Sequence, residues 1–299
     1  MISVVIPTRN EEKALEKLLR ALDRQTYKSK EVIVVDGHST DGTRTVAKKY
    51  GARLIEETGK HRSPANARNI GVAKARGDII AVFDCDYEVG EKFLEEGAKA
   101  FSKETMIVAC SHRLAVDTAI EKILASKIAE RKDIVHVYPF FARKGFIQKM
   151  GNWDSSLGYG EDRELNSNIL SYGRKHRGAL KQRGPTVSIH LPHTWAELSA
   201  QQRWYGRTIL HYLRKINNIK EYLSLLKVLY ILVPLALLTN PWLLVPAIPV
   251  ILLSAYRTIE AVAMGNLYGL AILPMDVVMS FPFAYGLIES LFRKERGRD

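Results

Sequence analysis

The first 110 residues alternate short apolar runs rich in Val and Ile with longer segments of helical periodicity. The apolar runs are continuous, which is typical of parallel strands that are covered on both faces. Strands and helices in this order favour an α/β sheet with right-handed crossovers. We predict strands at residues 3–6, 31–35, 53–55, 78–83 and 106–110. The helices between them are predicted at residues 11–24, 40–50, 64–76 and 91–101.

Further elements follow along the chain. Residues 118–132, 145–150 and 195–216 have helical periodicity, and the last of these segments is amphipathic. Residues 135–142 are apolar and aromatic and are predicted to return to the sheet, and residues 186–190 are predicted as a last strand. The 299 residues leave room for one α/β domain and a further, apolar region.

Polar motifs follow three of the predicted strands, at residues 7–11, 36–42 and 84–86. Ligands of open α/β sheets bind beyond the carboxyl ends of the strands, so we expect these motifs at one edge. Asp84 and Asp86 are two carboxylates at a strand end. They suit Mg²⁺ or Mn²⁺, which take carboxylate oxygens together with substrate phosphates. The alternative is a pair of solvated turn residues that close the strand.

Other charged side chains are further site candidates. Asp36 ends a strand and could accept hydrogen bonds from a base or ribose, or it could cap a helix, a role that Asp41 can also take. Arg68 lies on a predicted helix and either faces the same sheet edge or forms a surface salt bridge. Glu161 and Asp162 begin a helix, where the helix dipole favours acids and where one of them could act as a general base.

These motifs, in this order, resemble those of family 2 glycosyltransferases of the GT-A fold, over residues 1 to about 213. VIPTRNE at 5–11 resembles the family's P-T-x-N-E, and VVDGHSTDGT at 34–43 resembles its nucleotide-binding motif, although Gly37 and His38 depart from the usual residues. ARNIG at 67–71, DCD at 84–86 and GED at 160–162 match the A-R-N-x-G helix, the D-x-D metal motif and the acceptor-side motif. The resemblance implies a Rossmann-like α/β fold and a nucleotide-sugar donor, either a UDP-sugar or a GDP-sugar.

On the donor side, the resemblance assigns roles to single residues. It implies a nucleoside pocket lined by Pro7, Thr8 and Glu11. Asp36 is expected to bind the base or ribose, and Arg68 is expected to face the nucleotide. Asp84 is expected to contact the ribose or sugar, and Asp86 is expected to bind Mn²⁺ or Mg²⁺, with Asp84 as a second ligand.

On the acceptor side, the resemblance implies that Asp162 is the catalytic base, with Glu161 as the close second choice. Arg203 and Trp204 resemble the end of the Q-x-x-R-W motif of processive polysaccharide synthases, but Ala200 stands where that motif has Gln. The apolar region is also small for a polymer channel, so a processive enzyme is disfavoured. Arg203 and Trp204 either hold the diphosphate and acceptor or belong to a plain amphipathic face.

The net charge of +12 is concentrated in one block. Residues 172–220 contain ten Lys or Arg and one acid, Glu197. Such a block attracts phosphates or an anionic membrane surface, and nucleic acid is disfavoured because apolar segments follow at once. The sequence has no P-loop, no G-x-G-x-x-G after the first strand and no zinc motif. Two cysteines and the lack of a signal peptide fit a cytoplasmic domain.

Three apolar stretches, at residues 222–238, 242–256 and 261–292, are predicted as membrane segments rather than buried soluble helices. The third is either a hairpin bent near Pro274 or an interfacial helix with a partial re-entry. The basic block and the basic tail at 293–298 should both lie on the cytoplasmic side, which requires an even number of crossings.

We therefore predict a GT-A domain at residues 1–220 and a membrane-embedded helical region with a basic tail at residues 221–299. The expected protein is a metal-dependent, inverting glycosyltransferase of the cell membrane, multi-pass, with a cytoplasmic catalytic domain. Its acceptor is expected to be a lipid or a lipid-linked sugar. The alternatives are a polyprenyl-phosphate sugar synthase, whose acceptor is a phosphate, and a membrane-anchored scaffold that binds sugar nucleotides without catalysis.

Overall fold

The computed structural model describes residues 1–59, 62–128, 138–157, 160–216 and 222–292. The described chain divides into two compact units. The first unit comprises residues 1–113 and 138–189, and the second comprises residues 114–128 and 190–292. The predicted basic tail, residues 129–132 of the predicted helix at 118–132, and residues 135–137 of the predicted return to the sheet lie outside the described residues. The predicted domain boundary near residue 220 stays a prediction.

The strands are β1 (Ile2–Thr8), β2 (Lys30–Asp36), β3 (Arg53–Glu56), β4 (Ile79–Val82), β5 (Tyr87–Val89), β6 (Ile107–Ala109), β7 (Ser111–Ala115), β8 (Phe140–Arg143), β9 (Leu180–Lys181) and β10 (Thr186–His190). The helices of the first unit are α1 (Glu12–Asp23), α2 (Thr43–Lys49), α3 (Pro64–Lys74), α4 (Phe93–Lys99), α6 (Lys144–Lys149) and α7 (Glu161–Lys175). Those of the second are α5 (Ala119–Ile128), α8 (Trp195–Ile216), α9 (Leu232–Leu238), α10 (Ile248–Ala263) and α11 (Ile272–Phe292), with 3₁₀ turns at Leu223–Ile231, Pro241–Ala247 and Leu267–Ala271.

Seven strands form one sheet in the order β3-β2-β1-β4-β8-β6-β9. β1 pairs in parallel with both β2 and β4, and β2 pairs in parallel with β3. β8 lies antiparallel between β4 and β6, so β6 runs in the same direction as β4. The five predicted strands are confirmed, and the predicted return to the sheet is confirmed as β8. A second sheet, β5-β10-β7, contains the predicted strand at 186–190 as its centre.

The sheet is covered on both faces, which explains its continuous apolar strands. Every residue of β1 is buried. On α1, the buried side chains recur at helical spacing and form one face, at Leu15, Leu18, Leu19 and Leu22. α3 packs closely on β1 because Gly71 has no side chain; a Cβ there would lie 2.3 Å from Cγ1 of Val5. The α/β prediction is therefore confirmed together with the physical reason for it.

In the second unit, α8 and α11 cross at two glycines. A Cβ on Gly206 would lie 1.9 Å from the carbonyl oxygen of Phe283, and a Cβ on Gly286 would lie 2.0 Å from that of Arg203. The predicted bend near Pro274 is wrong, since α11 is continuous from Ile272. Pro274 lies in the first turn of that α-helix, where proline is tolerated.

Candidate functional site

Three predicted donor-side residues lie at the carboxyl edge of the sheet. Thr8, at the end of β1, is paired in register with Asp36, at the end of β2. Asp84 follows β4, whose Val82 is in register with Val5 of β1. The ends of three adjacent strands therefore bring these side chains to one edge, as the sequence predicts, and Pro7 lies beside Thr8 in β1.

Asp36 is fully buried, and the Ser39 amide donates hydrogen bonds to its carboxylate at 3.2 and 3.3 Å. Asn10 joins the loops after β1 and β2. Its side-chain Oδ1 accepts from the backbone amide of Thr40 at 2.8 Å, and its backbone amide donates to the Ser39 hydroxyl at 2.9 Å. The amide of Glu11 donates to the Thr43 hydroxyl, while its side chain stays exposed. These bonds fix the two loops that would surround a nucleoside.

The N-cap position of α2 is Gly42, which has no side-chain cap hydrogen bond, and Asp41 rather than Asp36 binds the first residue of the helix. Oδ1 of Asp41 accepts from the Thr43 amide at 3.1 Å and from the Thr43 hydroxyl at 2.5 Å. The Asp36 carboxylate lies 3.7 Å from the half-exposed Arg44 guanidinium. Asp36 therefore does not cap the helix, and its carboxylate stays buried at the carboxyl edge of the sheet.

Arg68 links the D-x-D motif to the acidic pair of α7. Its Nη2 donates to Oδ1 of Asp84 and its Nη1 donates to Oε1 of Glu161, both at 2.9 Å. Its guanidinium lies 4.7 Å from the ring centroid of Tyr138 and 5.9 Å from that of Trp153. The residue is 4% exposed, so the surface salt bridge considered from the sequence is wrong. Arg68 is instead a buried bridge between two carboxylates.

Burial and charge act against each other in this bridge. Burial alone would lower the pKa of Arg68, but Asp84, Tyr138 and Glu161 outweigh it and hold the pKa of Arg68 well above its usual range. Burial also raises the pKa of Glu161, and the charge of Arg68 opposes that rise. A buried charge needs a partner of opposite sign. Glu161 is therefore committed to Arg68.

Asp84 and Asp86 differ in their surroundings. Oδ1 of Asp84 accepts from the Tyr138 hydroxyl at 2.8 Å as well as from Arg68, so its orientation is fixed. The Asp86 side chain is exposed at the surface of the protein. Partial burial of its carboxylate, as the main cause, and the nearby charge of Asp84, as the second, raise the pKa of Asp86 to about 7. A cation placed between the two carboxylates would relieve this repulsion.

The donor set fits a hard divalent ion that shares its coordination with a substrate. Within the described ranges, no three His, Cys, Asp or Glu side chains converge as a metal centre. Mg²⁺ and Mn²⁺ are held in such sites by one or two carboxylates together with phosphate oxygens. Asp86 and Asp84 would supply the protein's share.

Asn69 fixes the loop that leads to α7. Its Nδ2 donates to the Trp153 carbonyl at 2.7 Å, and its Oδ1 accepts from the Trp153 amide at 3.0 Å. The Trp153 ring stacks on Phe140 of β8, with ring centroids 5.9 Å apart. Gly160 then turns the chain into α7 with φ of +78°, a conformation that favours glycine. Asp162 follows at the second position of α7 and is half-buried.

Three residues of this arrangement were not predicted. Tyr138 binds Asp84, Trp153 lies beside Arg68, and Asn69 holds Trp153 in place. Asn69 belongs to the recognised A-R-N-x-G motif, so its position was a signal, although its partner was not. Tyr138 lay in a run identified only as aromatic.

Arg203 and Trp204 lie on α8, in the second unit. Nε and Nη2 of Arg203 donate to the two carboxylate oxygens of Glu289 at 2.9 and 2.6 Å, and Arg207 donates to the same carboxylate at 3.1 Å. The guanidinium of Arg203 also lies 4.5 Å from the Tyr285 ring centroid. Its main contacts are therefore on α11, and the predicted diphosphate role stays a prediction.

Two helical segments of the second unit are long and apolar enough to cross a membrane, Pro241–Ala263 and Leu267–Leu291. Only 17% and 33% of the most apolar 18-residue stretch of each segment is buried within the protein. Leu225–Leu238 is also apolar but shorter. Large apolar side chains are exposed along these segments, among them Leu238 at 83% and Trp242 at 78%.

The sheet order, the mixed strand directions and the acidic motif at the carboxyl edge define a GT-A α/β fold. Mannosyltransferase PcManGT from Pyrobaculum calidifontis, solved with GDP-Man and Mn²⁺, has a similar structure, with a TM-score of 0.58 at 20% identity. The similarity covers 98% of this chain and 88% of that chain. At this level of identity the similarity concerns the fold.

The chain belongs to glycosyl transferase family 2, because the sequence profile of that family matches residues 3–160, which are more than half of the chain. Glycosyltransferase AglE of Haloferax volcanii is 38% identical over 109 residues, which are 34% of this chain and 35% of AglE. The dolichyl N-acetyl-alpha-D-glucosaminyl phosphate 3-beta-D-2,3-diacetamido-2,3-dideoxy-beta-D-glucuronosyltransferase of Methanococcus voltae is 29% identical over 168 residues, 53% of this chain and 51% of that protein. The matches span a third to a half of these relatives.

Proposed function

We propose that the protein is a membrane-bound, metal-dependent, inverting glycosyltransferase that moves a sugar from a nucleotide-sugar donor to a hydroxyl of a lipid or lipid-linked acceptor. The observation that carries this proposal is the Arg68 bridge. It joins Asp84, on the donor side, to Glu161, beside Asp162, through two hydrogen bonds of 2.9 Å. A binding scaffold without catalysis has no need to couple these two acidic motifs.

On the donor side, Pro7, Thr8 and the exposed Glu11 would line the nucleoside pocket, and buried Asp36 would receive hydrogen bonds from the base or ribose. The donor is a UDP- or GDP-sugar, a class supported by the GDP-Man complex of the structural neighbour. Asp84, held by Arg68 and Tyr138, would position the ribose or sugar. The fixed loops keep this pocket preorganised.

Transfer is proposed as one displacement at the anomeric carbon. The acceptor oxygen forms the new glycosidic bond while the bond from that carbon to the diphosphate oxygen breaks. The acceptor proton passes to Asp162, and the nucleoside diphosphate leaves with the electron pair. We favour Asp162 over Glu161 because Glu161 is buried and already accepts from Arg68.

Mn²⁺ or Mg²⁺, held by Asp86 with Asp84, would supply positive charge against the departing diphosphate. The test is transfer activity after removal of divalent ions with EDTA. Activity is expected to stop and to return when Mn²⁺ or Mg²⁺ is restored. Full activity in EDTA would remove the metal role of both carboxylates.

The general base distinguishes the hydroxyl acceptor from its alternative, a polyprenyl phosphate, which is already ionised near neutral pH. Asp162→Asn is expected to lower kcat by about 100-fold or more while donor binding is retained. Glu161→Gln is the matched control variant at the neighbouring residue, because a Gln side chain can still accept a hydrogen bond from Arg68. Transfer at the wild-type rate by Asp162→Asn would favour the phosphate acceptor. Absence of transfer to any lipid extract by the wild-type protein would favour a scaffold.

Membrane attachment is proposed from the two long apolar segments, whose side chains face outward more than a soluble core would allow. We propose a multi-pass arrangement with the first unit in the cytoplasm. Both native cysteines, Cys85 and Cys110, are buried. Single cysteines introduced at exposed loop positions of the first and second units would therefore report their side of the membrane by labelling with an impermeant reagent. Labelling of first-unit positions from outside the cell would contradict this topology.

A further inference from the structure

A cavity of about 730 Å³ opens in the first unit at the edge of the sheet opposite to the acidic motif. It is lined by Asp78, which precedes β4, and by Arg143, which ends the antiparallel β8. Asp84 follows the other end of β4, so the cavity and the candidate donor site lie at opposite ends of the same strand. The cavity is within the size range of small-molecule binding sites.

Its lining is strongly basic. Four cations, Arg76, Arg143, Lys144 and Lys149, face one carboxylate, Asp78. In the part of the chain that the structure describes, none of these four cationic side chains lies within 4.0 Å of a carboxylate. The positive charge of the cavity is therefore not balanced by close ion pairs.

Two of the cations are half-buried, and within the described residues their side chains donate hydrogen bonds to backbone carbonyls. Arg143 donates to the carbonyls of Thr105 and Ser102, both at 3.0 Å. Lys144 donates to Ala75 at 2.6 Å and to Ala73 at 3.3 Å. A carbonyl carries only a partial negative charge, so these bonds orient the cations without neutralising them. A half-buried cation gains from an anion placed beside it.

Two aromatic side chains, Phe146 and Tyr172, also line the cavity. Nζ of Lys149 lies 5.3 Å from the ring centroid of Tyr172, which packs edge-on against buried Phe146 at 5.1 Å. This contact keeps a flexible lysine at the cavity while its ammonium remains exposed. Gly145 adds no side chain to the lining, and a Cβ there would meet nothing within 4 Å.

We propose that this cavity is a second anion site, which binds the phosphoryl group of a ligand other than the sugar donor. Several Lys and Arg side chains around one concavity match a group that has two negative charges and three acceptor oxygens. The phosphoryl group belongs either to a soluble phosphorylated molecule or to the headgroup of an anionic lipid. This site is independent of the proposed transfer reaction, because it uses none of the residues assigned to it.

The test compares two double variants of the full-length protein in detergent. Arg76→Ala/Lys149→Ala removes the two exposed cations and leaves Arg143 and Lys144, which bind backbone carbonyls, in place. Lys48→Ala/Lys92→Ala removes two exposed cations outside the cavity and is the charge-matched control. Binding of a nucleoside diphosphate with Mn²⁺ at the opposite edge serves as the folding control for both.

Two probes separate the sources of the phosphoryl group: inorganic pyrophosphate in EDTA, and phosphatidylglycerol against phosphatidylcholine in mixed micelles. The affinity for at least one probe is expected to fall roughly tenfold or more in the cavity variant and to be unchanged in the control. Loss for pyrophosphate identifies a soluble ligand, and loss for phosphatidylglycerol alone identifies a lipid headgroup. Equal binding of both probes by the two double variants, or no binding by wild type, would overturn the proposal.

Discussion

Replacing Arg68 by Met tests the central bridge, because Met fills a similar volume and removes the charge. Wild-type Arg68 is 4% exposed and satisfies Asp84 and Glu161 through two hydrogen bonds of 2.9 Å. In the variant both carboxylates lose this partner. Asp84 keeps the Tyr138 hydroxyl and partial contact with water. Glu161 is left buried beside an apolar side chain.

The cost of this change follows from the burial of Glu161. Removing one partner of a buried ion pair typically costs about 3–5 kcal/mol. Glu161 can limit its own share by taking up a proton. Holding a carboxyl of ordinary pKa 4.5 neutral at pH 7 costs about 3 kcal/mol, since each pKa unit is about 1.4 kcal/mol. The expected loss of stability is therefore about 3–5 kcal/mol, or a fall in Tm of about 10 °C.

The pH dependence gives the sharper test. In the variant, the pKa of Glu161 rises further above its unfolded value. The folded variant then binds the Glu161 proton more tightly than the unfolded chain does. This stabilising contribution is complete below the unfolded pKa and is lost as the pH rises through the folded pKa. The gap in Tm between wild type and variant should therefore widen as the pH rises above the ordinary carboxyl pKa of 4.5.

The assay is thermal unfolding of the purified protein in detergent, followed by circular dichroism and tryptophan fluorescence. Lys99→Met is the control, because the exposed Lys99 pairs with Glu95 at the surface and its loss should cost at most about 1 kcal/mol. Adding Glu161→Gln to Arg68→Met should recover stability at the higher pH. A Tm gap that does not change with pH, or no recovery, would refute the buried-bridge account.

Two further predictions concern packing. Gly206→Ala places a methyl group 1.9 Å from the Phe283 carbonyl oxygen and should lower Tm by several degrees, whereas Gly145→Ala, with open space around it, should leave Tm nearly unchanged. Asn69→Ala removes both hydrogen bonds to the Trp153 backbone and should cost about 1–3 kcal/mol. Its kcat should fall more than its donor affinity, because the freed loop leads into α7; an equal loss in both would place Asn69 on the donor side.

The elements of the sheet could be predicted because its strands are continuous apolar runs separated by amphipathic helices. β8 could be predicted as a strand but not in its direction, since direction depends on the path of the preceding residues. β9 and β5 have two and three residues and do not lie in continuous apolar runs, so no pattern marks them as strands. The Pro274 bend failed for a local reason, because the first turn of a helix tolerates proline.

The candidate site was predictable where residues share a strand end, and not where partners are distant in sequence. Asp36 and Asp84 follow strands, so topology alone brings them to one edge. Arg68 lies 93 residues from Glu161, and no pattern on α3 indicates that its guanidinium is buried between two acids. Tyr138 reaches Asp84 across 54 residues. Such pairings depend on the three-dimensional arrangement of loops, which the motifs do not encode.

The reversed direction of β8 has a mechanical consequence. This strand of four residues is hydrogen-bonded on both sides, to β4 and to β6, and cannot slide without breaking both ladders. Just before its start, Tyr138 holds Asp84; at its end, Arg143 lines the basic cavity. This single strand, roughly 13 Å long, thus connects the two opposite edges of the sheet. Arg143 at the basic cavity and Tyr138 beside Asp84 are therefore held at a fixed separation by one strand that is hydrogen-bonded on both sides.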